Sequence, residues 1–190
     1  MTVTRLLLLG PPGSGKGTQA EILARRLGIP QIATGDMLRA AVDAGSAVGR
    51  QAQGFMDRGE LVPDDVVIGV AEARLMEPDA VKGFILDGFP RTPAQAEALD
   101  AMLERLRVSL ECCLALHVDE EELVARLLRR AQIEGRSDDN EQTIRTRMQV
   151  YREKTQPLVD YYDRRGVLRE VEGDGDIGEV ASWIEEALRR

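Results

Sequence analysis

The sequence predicts a three-layer α/β fold in which a five-stranded parallel sheet is flanked by helices. Two observations carry this expectation. Short apolar segments alternate with stretches of helical spacing along most of the chain, the pattern of strand–helix–strand units. The first of these segments, Leu6–Leu9, is also a continuous apolar run rather than an alternating one, as a strand buried on both faces is. A length of 190 residues suits a single domain.

The elements follow in order. Residues 5–9 form an apolar run stopped by Gly10, and 31–33, 83–87, 112–118 and 167–171 are the other strand candidates. Residues 18–27 space Ile22, Leu23 and Leu27 on one helical face before Gly28. Pro93 suits the first position of a helix over 93–107. Three acids open the amphipathic stretch 120–131, at the positive end of its dipole. Residues 143–165 read as one long helix bent at Pro157, and 177–188 as a closing helix. Two stretches interrupt the alternation: 34–81 holds only helical patterns, and 132–140 is a short polar loop.

Composition excludes several classes. A net charge of −8 argues against a nucleic-acid polymer as partner. No apolar run approaches the roughly 20 residues of a membrane span, and Leu6–Leu9 is too short for a signal-peptide core. A cytoplasmic protein without nucleic-acid or membrane partners is expected. Cys112 and Cys113 are adjacent and suit a buried strand of a reduced protein. His117 closes the same strand with no cluster around it and is expected to be structural.

The sharpest motif is Gly10-Pro11-Pro12-Gly13-Ser14-Gly15-Lys16-Gly17-Thr18, between a strand and a helix. That context makes it a phosphate-binding loop and the fold P-loop NTPase-like. Its glycines let successive N–H groups turn inward, and the following helix adds its positive end. Lys16 supplies a full charge and is one of three lysines against 22 arginines. The Ser/Thr that usually follows the lysine and ligates Mg²⁺ is replaced by Gly17. Asp87, an acid at the carboxyl edge of a predicted strand, is the expected anchor for Mg²⁺ through water.

Gly10–Gln19 resembles the opening of the adenylate kinases, Gly17 included. Thr34-Gly35-Asp36-Met37-Leu38-Arg39, Gly59-Glu60-Leu61-Val62-Pro63-Asp64, Asp87-Gly88-Phe89-Pro90-Arg91 and Gly135-Arg136-Ser137-Asp138-Asp139 extend the resemblance in order along the chain. It implies reversible phosphoryl transfer, MgATP + AMP ⇌ MgADP + ADP. It implies one domain over 1–190: a core of 1–33, 64–129 and 140–190, a monophosphate-binding insertion at 34–63 and a lid at 130–139. The short, cysteine-free lid implies a form without zinc.

By the same resemblance Lys16, Arg91, Arg130, Arg136 and Arg147 are catalytic. The loop from Gly10 to Thr18, Arg130 and Gly175 bind ATP. Thr34, Gly35, Arg39, Leu61, Val62, Pro63, Gly88, Phe89, Pro90, Arg91, Gln95, Arg136 and Arg147 bind AMP. Arginine's planar fork holds two phosphate oxygens at once, which suits a reaction that asks mainly for positioning and charge neutralisation. Gly173 competes with Gly175, and Arg129 with Arg130, for alignment. Asp138 and Asp139 either tie the lid closed or cap the next helix. A monomer is expected.

The acceptor base has its own argument. Gln95 offers donor and acceptor together, matching adenine's edge. The pyrimidine kinases resemble this chain but carry asparagine there and alanine in place of Thr34. A GTP-dependent switch would need an Asn-Lys-x-Asp reader, and the only asparagine, Asn140, is followed by Glu141. A non-catalytic nucleotide sensor would have no need of every phosphate-gripping arginine.

Overall fold

The computed structural model describes residues 3–134 and 140–189. Among these residues five parallel strands form one sheet: β1 (Arg5–Leu9), β2 (Gln31–Ala33), β3 (Phe84–Asp87), β4 (Cys112–His117) and β5 (Leu168–Glu172), in the order β2-β3-β1-β4-β5. β1 lies at the centre, with Leu8 beside Asp87 of β3 and beside Leu114 of β4. Its leucines divide by parity. Leu7 and Leu9 join one core cluster and Leu6 and Leu8 the other, so both faces are buried.

The cluster around Leu6 and Leu8 is covered by α1 (Lys16–Leu27) and α9 (Ile177–Arg189), through Ala20, Leu23, Val180 and Ile184. On the other face lie α2 (Thr34–Asp43), α3 (Ala47–Asp57), α4 (Asp64–Leu75), α5 (Pro93–Arg105) and α8 (Leu158–Asp163). Phe89, Leu99 and Tyr162 are fully buried among them. α6 (Glu120–Glu134) and α7 (Glu141–Val150) share a smaller cluster of Leu123, Leu127, Ile144 and Met148.

The predicted helix over 143–165 is corrected by the structure. It begins at Glu141, where Asn140 and Thr143 form a reciprocal cap. It is interrupted by a π-helical turn, Tyr151–Thr155, before α8 begins. The Gln156 N–H donates to the Tyr151 carbonyl at 2.8 Å, five residues back. Pro157 explains the position: it has no N–H to continue the ladder, so the turn ahead of it widens. Elsewhere strand and helix ends move by one to three residues: α5 stops at Arg105 rather than 107, and α6 runs on to Glu134, three residues into the stretch expected to be a loop.

Cys112 and Cys113 are buried in β4, as expected, and burial pushes the Cys112 thiol up to about 11. The His117 ring lies 3.0 Å from Glu170 of β5. No helix among the described residues is long and apolar enough to cross a membrane.

Candidate active site

The chain leaves β1 for β2 on one side and leaves β3 for β4 on the other. β1 and β3 are neighbours, so the topological switch point, where α/β sheets bind ligands, lies between their carboxyl ends. The loop at residues 10–15 follows β1, and Asp87 ends β3 with Gly88 directly after it.

The loop's shape follows from its glycines. Gly13 and Gly15 sit at φ 85° and 87°, in the left-handed region. A Cβ on Gly13 would meet the Leu123 carbonyl at 2.9 Å, so the loop lies tight against α6. Lys16 begins α1 and folds back across the loop. Its ammonium donates to the Gly10 carbonyl at 2.6 Å, the Pro11 carbonyl at 2.9 Å and Ser14 Oγ at 3.3 Å. Burial pushes Lys16 down to about 7; Asp87 opposes the fall, and the guanidiniums of Arg91, Arg147 and Arg130 add to it. Three arginines from three separate segments therefore bear on one ammonium.

The cleft around this loop is about 1090 Å³. Of the predicted residues, Gly10, Pro12, Gly13, Ser14, Gly15, Lys16, Gly17, Thr18, Gly35, Arg39, Leu61, Asp87, Gly88, Pro90, Arg91, Arg130, Arg147 and Gly175 line it. A side pocket of about 70 Å³ adds Thr34, Val62 and Gln95. Gly35, Arg39, Leu61, Gly88, Arg91 and Arg147 line both, so the two spaces are continuous. Pro11, Pro63 and Phe89 line neither: Phe89 is wholly buried in the core, and Pro63 precedes α4. Arg136, Asp138 and Asp139 lie outside the described residues.

Arg91 is fixed through its backbone. Its N–H donates to Gln95 Oε1 at 2.7 Å, and its carbonyl accepts from Thr155 Oγ1 at 2.8 Å. Its Nε donates to the Gly88 carbonyl at 2.9 Å. A Cβ on Gly88, at φ 77°, would press on that guanidinium and on Thr34 Oγ1. Thr34 Oγ1 itself donates to the Gly88 carbonyl at 2.9 Å, joining the start of α2 to the end of β3.

Asp87 fits a hydrated Mg²⁺. Its Oδ2 accepts from Gln31 Nε2 at 3.3 Å, and a Cβ on Gly17 would stand 3.5 Å from it. The space a P-loop hydroxyl would fill is thus open beside a carboxylate. No group of three or more His, Cys, Asp or Glu among the described residues could hold a metal ion. Among the described residues Asp87 is the acid beside the loop that fits the ion, and its remaining ligands would come from phosphate and water.

Both disputed alignments remain adjacent in space. Arg126, Arg129 and Arg130 all line the cleft from α6, at the i, i+3, i+4 spacing of one helical face. Gly173 and Gly175 line it too; a Cβ on the first would meet Val118 and on the second the Trp183 ring. Sequence reasoning missed Gln19, Gln31, Asp64 and Thr155. Gln19 is buried and donates to the Ile177 carbonyl at 3.0 Å. A glutamine on the helix that follows a phosphate loop, and a threonine ahead of a proline, carry no signal a single sequence can separate from ordinary helix surface.

Cations gathered around a glycine loop at the switch point of a parallel sheet define a P-loop phosphotransferase. Comparison with known proteins narrows the class. A family model described as Adenylate kinase matches residues 8–167. The chain is 54% identical to the adenylate kinase of Thermobifida fusca, over 97% of this chain and 98% of that protein. It is 54% identical to that of Leptospira biflexa over 95% and 97%, and 46% identical to that of Archaeoglobus fulgidus over 97% and 98%. The last alignment runs to 212 positions, so that relative carries insertions this chain lacks. The chain belongs to the adenylate kinase family. It is a nucleoside monophosphate kinase, and the family's reaction is reversible phosphoryl transfer from MgATP to AMP.

Proposed function

We propose that the cleft around Lys16 binds ATP, that the side pocket at Gln95 binds AMP, and that the terminal phosphoryl group passes between them beside Lys16. The convergence of Lys16, Arg39, Arg91, Arg130 and Arg147 on one continuous space carries this reading. Residues 10–18 cradle the donor phosphates, with Arg130 over them and Gly175 beside the base. Arg39 and Arg91 grip the acceptor phosphate, while Arg136 and Arg147 approach the group in flight. Thr34, Leu61 and Val62 enclose the acceptor base, and Gln95 reads it.

Asp87 would hold Mg²⁺ through water. The ion, when bound, neutralises phosphate charge and orients the donor's terminal group. Lys16 gives up its bonds to the loop carbonyls and follows the moving group with its charge. The arginines bind bidentately and so fix the in-line path. Residues 130–139 act as the lid that excludes water, and 34–63 as the insertion that brings the acceptor in. No zinc is required. Since residues of one chain line both pockets, a monomer suffices, with ATP and AMP as partners; the net charge of −8 supports a reading without nucleic acid, and a cytoplasmic enzyme away from membranes completes the proposal.

A coupled assay of ADP formation with AMP, UMP, CMP and GMP tests the reading. AMP is expected to be the strongly preferred acceptor. Equal rates with UMP would overturn the assignment of Gln95 and Thr34.

A further inference from the structure

Gln95 is 1% exposed and lines the side pocket, yet its amide is not free to turn. Its Nε2 donates to Asp64 Oδ1 at 2.7 Å, and its Oε1 accepts from the Arg91 N–H at 2.7 Å. A carboxylate only accepts and a backbone N–H only donates. The two partners therefore dictate which end of the amide is oxygen. Asp64 is held in turn. Thr92 Oγ1 lies 3.2 Å from each of its carboxylate oxygens and accepts from the Gln95 N–H at 3.2 Å.

We propose that Asp64 is a positioning residue for acceptor specificity: with the Arg91 N–H it locks the sense of the Gln95 amide, so that the pocket accepts a 6-amino purine and rejects a 6-oxo purine. This rests on the reading of Gln95 as the residue that meets the acceptor base. A carboxamide has two N–H groups and two oxygen lone pairs. Asp64 takes one N–H and Arg91 one lone pair, which leaves one of each for a ligand. Adenine presents an amine donor at position 6 and an acceptor at N1. Hypoxanthine presents an oxygen acceptor at 6 and a donor at N1. In one pose on the ring, a fixed amide matches only one of these edges, and a freely turning amide matches either. Asp64 also opens α4, where an acid would stabilise the helix without any bearing on the base.

The experiment measures kcat/KM for AMP and for IMP in the wild-type chain and in Asp64→Ala, Asp64→Asn and Gln95→Ala. The wild type is expected to favour AMP on the order of 10²-fold or more, as a site built around hydrogen bonds does. Asp64→Ala is expected to narrow that ratio by about tenfold, chiefly through a higher KM for AMP, with kcat at saturating AMP falling less than about threefold. Asp64→Asn keeps the shape and serves if the alanine variant does not fold. Its amide can donate or accept, so it too should narrow the ratio. If the Asp64 variants lose stability but keep the wild-type ratio, Asp64 only supports the helix and the proposal falls. If they keep the ratio while Gln95→Ala collapses it, the proposal falls and the acceptor reading stands. If the wild type itself does not separate AMP from IMP, both fall.

Discussion

Lys16 donates to two carbonyls and a hydroxyl of its own loop, and it is surrounded by guanidiniums. A lysine with a folded pKa near 7 and an unfolded value of 10.5 binds fewer protons folded than unfolded between those limits. Stability from this group is therefore lowest below pH 7 and rises towards pH 10.5. Phosphate reverses the preference, because it favours the ammonium. Binding of MgATP at pH 8 is expected to take up a proton, measured by calorimetry in buffers of different ionisation enthalpy. The affinity should weaken as pH climbs from 7 to 9, and a flat profile with no uptake would contradict the crowding around Lys16. Lys16→Met should fold, with an unaltered circular dichroism spectrum, and lose at least ~10²-fold in turnover. Lys16 and its glycines were legible in the sequence because the backbone shape they need leaves a pattern of residue types. Asp64 was not: it sits in the quoted run at 59–64, but its partner Gln95 lies 31 positions away.

At the scale of elements, the π turn Tyr151–Thr155 was hidden from a periodicity reading, which sees one apolar stripe running through 143–165. Pro157 marked the place only approximately, since the ladder loosens ahead of the residue that lacks the N–H. The turn brings Thr155 to the Arg91 carbonyl from 64 positions away. Thr155→Val keeps the volume and removes that donor from a part-buried carbonyl. It should cost about 1 kcal/mol in urea unfolding and raise KM for AMP more than it lowers kcat. Equal stability and unchanged KM would show the bond to be idle. The strands were read more closely than the helices, because β1, β3 and β4 are so fully buried that almost any polar residue would have marked their ends. Asp87 and His117 do so.

Across the molecule, the net charge of −8 and the cationic cleft coexist because the site is assembled locally from segments far apart in the chain. Composition averaged this away, and only the motifs restored it. The class and the alternation of five strands with helices followed from the sequence, whereas the order of the strands in the sheet and the hydrogen-bonded supports behind the arginines came only with the structure. Burial also predicts that Cys112 and Cys113 stay unlabelled by a maleimide in the native protein and react fully in denaturant; rapid native labelling would mean the sheet opens. The sheet's two outer strands carry a last consequence. β2 is three residues long, and β5 sets Arg169, Glu170 and Glu172 around a single buried Val171. A short rim and a charged rim give a neighbouring molecule little to pair with. A fold built on an otherwise apolar sheet thereby gains resistance to edge-to-edge aggregation, a property of crowded solution rather than of catalysis.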